Sequence, residues 1–334
     1  MTDPPAPARR LASPLSLIVL VVGLALLVLS VRQVGWVSIA ESFRSVGAWL
    51  AAVVALGLAR MAMRARTWTL CSRAEHAEGI PMRSALGAVL AADALGNLTP
   101  LGLLASEPAK VMLGRRHVPT RASVSSVAVE NGFYTLSVLV VLLGGVWVLL
   151  QRADVPPAMA RAGNVVLLLA GVAAIAVLWA FRARPALLSR LGHLAARLAR
   201  RPTSAEALRA FEASVYDVVR WPLGRLGHVM VWEALFHVAA VLEVWLILRL
   251  LPGGQAATLT DAFLMETTGR FITVAFKFIP YRLGVDEVGS GSVSQLLGLG
   301  ASTGVALALV RRVRILILNA AGVALLARAS RPVA

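Results

Sequence analysis

The stretch Phe278-Ile-Pro-Tyr-Arg-Leu-Gly-Val-Asp-Glu-Val-Gly-Ser-Gly-Ser292 decides how this chain is read. Pro280 interrupts an apolar segment, glycines loosen the backbone beyond it, and Arg282, Asp286 and Glu287 stand where hydrocarbon would be expected. Irregular, charged backbone survives at membrane depth only when it is buried in protein or lines a wet cavity. A second stretch, Leu98-Thr-Pro-Leu-Gly-Leu-Leu-Ala-Ser-Glu-Pro-Ala-Lys110, echoes it 180 positions earlier, with Pro100 over Pro280, Leu103 over Leu283 and Glu107 over Glu287. Both copies break an apolar segment in corresponding halves of the chain. That is the usual sequence pointer to the substrate site of a transporter.

Composition agrees with a membrane setting. Of 334 residues, 58% are hydrophobic and only 15% charged, and the mean hydropathy is +0.76. A soluble domain of this size could not hide so much apolar surface, so the reading is an all-α, polytopic helical membrane protein. The net charge of +16 raises nucleic acid as a partner. The basic residues nevertheless fall in short clusters between apolar runs, as orientation signals do, and no nucleic-acid motif accompanies them. One cysteine, Cys71, excludes an internal disulfide and a multi-cysteine metal site.

Working outward from the two broken stretches, the ~20-residue criterion gives full spans near 15–31, 46–63, 122–150, 164–181, 226–251 and 303–326. The apolar regions 84–113 and 257–300 are each divided by a proline break and read as re-entrant hairpins. About six full spans plus two hairpins then form a single membrane domain over 1–334, with halves 46–181 and 226–328 joined by a connection at 182–225. With six crossings, 22 basic residues fall on the face of the N-terminus, 5 on the other face, and 6 within the last hairpin and last span. That bias places both termini in the cytoplasm, at the inner membrane of the cell. Three crossings separate the hairpins, so they enter from opposite faces, which makes an inverted repeat suited to alternating access. In the connection, Leu187, Leu188, Leu191, Leu194 and Leu198 recur at helical spacing among arginines. This fits either a surface helix that gathers anionic lipid or a basic loop with a helical turn or two.

Ionisable residues inside a bilayer cost ~2.5–3.5 kcal/mol each on insertion scales and are functional candidates by default. Glu107 and Lys110 at i,i+3 can pair beside the first break, as a cavity pair or as a structural pair near the surface. Glu130, with Asn131, stands in the first half of a long span, and functional and structural pairing are both open for it. In the second half, Glu266 and Arg270 at i,i+4 can pair, and Arg270 shares a face with Lys277. Arg282 follows the break. Arg311, Arg312 and Arg314 lie in the last span, either lining a positive cavity with an acid such as Glu287 or Glu130 as partner, or snorkelling to an interface. Such a cavity would attract phosphate, because the planar guanidinium fork donates two hydrogen bonds together. Glu233 and His237 at i,i+4 lack a third ligand, so an interior hydrogen-bonded pair is the expectation and no metal is. No cofactor is expected, and no Ser-His-Asp or cysteine-histidine arrangement is discernible.

At these residues the chain resembles the flippase-like family typified by the transmembrane region of lysylphosphatidylglycerol synthases, which includes hopanoid-associated members. The resemblance rests on Thr99-Pro100 leading to Ser106-Glu107 and Lys110, on Glu130 early in the next long span, and on Pro280, Gly284 and Asp286-Glu287 before an Arg-bearing last span. It covers most of the chain after Val46. Tyr281-Arg282 departs from the small, glycine-like residues of the family pattern. The resemblance implies lipid translocation with Glu107, Lys110, Glu130, Glu287 and the last-span arginines near the path. The soluble aminoacyl-transfer domain of full-length synthases has no counterpart in the sequence.

The expectation is therefore a non-enzymatic flippase or transporter that moves a phospholipid or related amphiphile between leaflets. Its site would comprise Glu107, Lys110, Glu130, Arg270, Arg282, Asp286, Glu287, Arg311, Arg312 and Arg314. The partner expected is a membrane lipid with an anionic or phosphate-bearing headgroup, and a second copy of the chain is a candidate partner in a homodimer. The alternatives are an integral-membrane lipid-modifying enzyme subunit, with Glu130 or His237 as base, and a carrier of a small polar solute or anion.

Overall fold

The computed structural model describes residues 44–98, 103–151, 157–183, 216–276 and 278–329, together with Val37 and Ala213. Among them are nine α-helices and no strand: α1 (Leu50–Glu75), α2 (Met82–Leu98), α3 (Leu103–Gly114), α4 (Thr120–Leu150), α5 (Pro157–Ala183), α6 (Leu223–Leu250), α7 (Leu259–Ala275), α8 (Val285–Leu296) and α9 (Ala301–Ala329). The long apolar runs at 120–150 and 223–250, and the run at 44–75 that contains α1, have the length and hydropathy of membrane spans. Helix α9 is as long, but its three arginines are tolerable in a bilayer only inside a bundle.

Local sequence sets the helix ends. Prolines at 119 and 222 occupy the N-cap positions of α4 and α6. Thr258 caps α7 through a capping box, its hydroxyl accepting from the Asp261 N–H while the Asp261 carboxylate accepts from the Thr258 N–H. Gly284, with φ +78°, admits the turn that starts α8.

Each interrupted segment holds two helices packed on each other, α2 with α3 and α7 with α8; the expected break at Pro100 lies outside the described residues. The helices pack in a pattern that is unchanged when the two halves are exchanged. Thus α1–α2 is matched by α6–α7, α2–α3 by α7–α8, α3–α4 by α8–α9, α1–α4 by α6–α9, and α2–α9 by α4–α7, with α1–α6 at the centre. The 180-residue echo is a repeat of packing as well as of sequence.

Two apolar cores hold this arrangement. One joins α1, α6, α7 and α9 through Val53, Ile247, Met265 and Val310; the other joins α1, α2 and α4 through Trp68, Val89 and Val127. Outside them, α5 presents Leu168, Leu169, Val172 and Ile175 to the surroundings, an apolar exterior suited to lipid.

The structure corrects one feature of the sequence reading. Helix α1 does not end near Met63 but continues about three turns to Glu75. Arg60 and Arg64, which the sequence reading counts among loop charges, therefore lie inside the bundle, as does Lys110, which is 3% exposed. Removing these three from the 22 leaves 19 basic residues against 5, and the bias keeps its direction. The expected span at 15–31 and the leucine-rich part of the connection lie outside the described residues, as does Lys277.

Candidate functional site

Between the two broken hairpins lies a cavity of ≈ 200 Å³, lined by residues of every helix except α5. The first hairpin contributes Asp93, Asn97, Ser106, Glu107 and Lys110; the second contributes Arg270, Tyr281, Arg282, Asp286 and Ser290. Helix α1 adds Arg60 and Arg64, α4 adds Tyr134, and α9 adds Arg311, Arg312 and Arg314. Eight cations line this space but only three carboxylates, Asp93, Glu107 and Asp286. The compensating acids stand behind the wall. Glu130, Glu243, Glu266 and Glu287 are each 0% exposed and none of them lines the cavity.

Each buried glutamate holds its cations by short contacts. Glu130 accepts from Arg64 Nη2 at 2.7 Å on one oxygen and from Lys110 Nζ at 2.6 Å on the other. Glu243 Oε2 is shared by Arg60 Nη1 at 2.8 Å and Arg314 Nη1 at 2.7 Å. Glu266 takes Arg270 Nε at 2.8 Å and Arg311 Nη2 at 2.8 Å. Arg312 Nη2 lies 2.8 Å from Glu287 Oε1, a charge contact without hydrogen-bond alignment. Removing two charges from water is expensive unless the pair and its remaining hydrogen bonds are well made. The network therefore fixes both partners at the edge of the cavity.

Aromatic rings hold the same cations from another side. Arg64 lies over Tyr134 with 3.9 Å from Cζ to the ring centre, while Arg60 and Arg270 both lie against Phe236, at 4.8 and 4.9 Å. Arg270 Nη1 also donates to the Tyr134 hydroxyl at 3.0 Å. The two hairpin acids are held alike: Asn131 Nδ2 donates to Glu107 at 2.6 Å in the first half, and Arg312 pairs with Glu287 in the second. Shifted by 180 positions, Asn131 falls on Arg311, next to Arg312.

The structure brings the predicted site residues together around one space. Glu107, Lys110, Arg270, Arg282, Asp286, Arg311, Arg312 and Arg314 line it, and Glu130 and Glu287 support it from behind. The three last-span arginines are 11–19% exposed along their side chains at 311 and 312 and 7% at 314, inside the bundle rather than at its edge. Arg282 pairs with Asp286 at 3.2 Å, one turn along, and not across the cavity. Sequence reasoning missed Arg60, Arg64 and Tyr134. The available signal was the apolar run continuing beyond Met63, which carries Arg60 and Arg64 at i,i+4 on one face. Glu243 had no assigned role in sequence and here anchors Arg60 and Arg314.

Glu233 and His237 do not bond each other directly. Both reach Ser137 of α4: the Ser137 hydroxyl lies 2.8 Å from Glu233 Oε2 and 3.0 Å from His237 Nε2. Among the described residues no group of three metal-ligating side chains is present.

The family model described as lysylphosphatidylglycerol synthase TM region matches residues 16–322. No curated protein and no solved structure matches the chain.

Proposed function

We propose, because the chain belongs to the lysylphosphatidylglycerol synthase transmembrane-region family, that this membrane protein linked to lipid handling is a flippase or transporter rather than an enzyme. It moves a phospholipid or related amphiphile between the leaflets of the inner membrane. The observation that carries this reading is the surplus of unspent donors among the arginines that line the cavity. Arg60 Nε, Arg270 Nη2, Arg312 Nη1 and Arg314 Nε are buried and have no acceptor among the described residues. A buried donor without an acceptor costs about 1–3 kcal/mol, and a phosphate offers oxygens to several guanidinium groups at once.

The cavity volume of ≈ 200 Å³ suits a headgroup and leaves no room for acyl chains. The chains would stay in the surrounding lipid while the head occupies the arginines. The two hairpins enter from opposite leaflets, and rocking of the two halves around the shared α1–α6 contact opens the space to each side in turn. The enzyme alternative finds less support here. Both oxygens of Glu130 already hold a cation, which leaves it a poor general base.

The test is movement of a fluorescent anionic phospholipid in proteoliposomes, read by an impermeant quencher, with labelled phosphate uptake measured in parallel. Wild-type protein should accelerate movement between leaflets, and the Glu287→Gln plus Arg311→Ala variant should slow it at least about tenfold, since one charge-assisted hydrogen bond is worth about 1.5–3 kcal/mol. Equal rates for the two proteins would reject this site. Uptake of phosphate without lipid movement would favour the carrier of small anions.

A further inference from the structure

Behind the cavity wall, the Ser137 hydroxyl has three neighbours at hydrogen-bond distance. They are the Tyr134 carbonyl at 2.9 Å, Glu233 Oε2 at 2.8 Å and His237 Nε2 at 3.0 Å. A hydroxyl has one proton to donate and two lone pairs to accept with. The carbonyl can only accept. All three contacts are hydrogen bonds together only if Ser137 donates to the Tyr134 carbonyl, His237 donates from Nε2, and Glu233 carries a proton that it donates to Ser137. If Glu233 is ionised, Ser137 must turn its proton to the carboxylate, and the carbonyl loses that donor. A single proton on Glu233 thus separates a state in which all three contacts of Ser137 are hydrogen bonds from one in which they cannot all be.

The burial sharpens the difference. Glu233 is 1% exposed and His237 7%, and Glu233 Oε1 and His237 Nδ1 have no partner among the described residues. An ionised Glu233 would therefore be a buried carboxylate with only the Ser137 and Thr67 hydroxyls beside it and no ion-pair partner among the described residues, whereas the other four buried glutamates each have a cation in contact. We propose that Glu233, Ser137 and His237 form a proton-binding site that couples proton uptake to the state of the arginine-walled cavity. The coupling rests on the transporter reading; the proton site does not.

The route of influence is short. From α1, Arg60 and Arg64 face the cluster, with Thr67 beside them. From α4 comes Glu130, and from α7 come Arg270 and Glu266. Arg311 and Arg314 of α9 are engaged with Glu243, ten residues further along α6, or ~15 Å at the helical rise. Phe236, next to His237, is the ring against which Arg60 and Arg270 rest. A proton taken from cavity water onto Glu233 removes one negative charge behind Arg64. That guanidinium then holds an anion in the cavity more tightly. Return of the proton to water restores the carboxylate and weakens that hold.

Infrared difference spectra of the full chain in nanodiscs, taken between acid and alkaline pH, read the site directly. A protonated-carboxyl C=O band that is present at low pH should be lost in Glu233→Gln and kept in Glu107→Gln, and Ser137→Ala should shift it by removing its acceptor. Absence of the band, or its persistence in Glu233→Gln, overturns the site. In proteoliposomes, a pH step across the bilayer should change wild-type lipid movement by about fivefold or more, the lower end of usual coupling energies, and should leave Glu233→Gln unchanged. Equal responses overturn the coupling. The infrared result does not depend on lipid movement, so failure of the transporter reading is distinguishable from failure of the proton site.

Discussion

Glu130 Oε2 lies 2.6 Å from Lys110 Nζ and ties the long helix α4 to the hairpin helix α3. Arg64 occupies the other oxygen, so this carboxylate joins three elements in a place with no access to water. Breaking a buried pair by removing one partner costs about 3–5 kcal/mol, because a charge is left uncompensated. Glu130→Gln is expected to lower the stability in detergent by that order, read as a lower unfolding midpoint. Glu107→Gln should cost much less, since the Glu107 side chain is 25% exposed and an amide can still accept from Asn131. Tryptophan fluorescence during heating checks the ranking, and equal losses would contradict it.

The second hairpin turns through Tyr281 and Arg282, at φ +52° and φ +50°. Left-handed backbone costs a residue with a Cβ roughly 1–2 kcal/mol, and two in succession are held by their surroundings. Here Arg282 pairs with Asp286, and Arg312 reaches the Tyr281 carbonyl at 3.4 Å. Alanine and glycine at 281 both remove the ring, but only glycine removes the strain. Tyr281→Gly should therefore be more stable than Tyr281→Ala by about 1 kcal/mol, the reverse of their usual order in a helix. Denaturant or thermal unfolding of the two variants decides the sign.

How far the sequence carried is clearest at particular residues. The proline breaks, the charges after them and the 180-residue echo led to the helix pairs α2–α3 and α7–α8, because a broken, charged segment in an apolar chain has to be covered by protein. The span at Ala122–Leu150 and the helix Thr120–Leu150 nearly coincide, since hydropathy bounds a run in which Glu130 is the single charge after Arg121. Arg60 and Arg64 were illegible as site residues for the opposite reason. A positive charge near the end of an apolar run has two readings, a loop or a buried pair, and only the acids that α4 and α6 bring alongside choose between them. Ser137 was invisible because a serine in an apolar span carries no signal until Glu233 and His237 are placed against it.

Helix α9 touches both hairpins through glycine. A methyl at Gly304 would collide with the Ser290 carbonyl of α8, and one at Gly322 with the Leu90 carbonyl of α2. In both places the obstacle is backbone, which cannot move aside as a side-chain tip can. Overpacking of this kind typically costs about 1–3 kcal/mol. Gly304→Ala and Gly322→Ala should each lower the unfolding midpoint, whereas Gly132→Ala on α4, where a methyl meets open space, should not. A loss for Gly132→Ala as large as the other two would mean that helix flexibility, not close approach, is what these glycines supply.

An inverted arrangement of the two halves, as proposed above, would fix their sidedness. The exchange of packing pairs between halves is equally compatible with a parallel repeat; direction relative to the membrane distinguishes the two. The turn between α3 and α4 carries Arg115, Arg116 and His117, and the turn between α6 and α7 carries Gln255. Between these turns the chain runs through α4, α5 and α6. If each crosses once, the turns lie on opposite sides of the membrane, and the basic one faces the cytoplasm. Cys71 is buried at 0% exposure, and its replacement by alanine gives a clean background. In that background, intact cells should label Gln255→Cys with an impermeant thiol reagent and leave His117→Cys unlabelled until the membrane is opened. Labelling of both from outside, or of neither, would place the two turns on one side. The hairpins would then enter from the same leaflet, and no rocking of halves could present the cavity to each leaflet in turn.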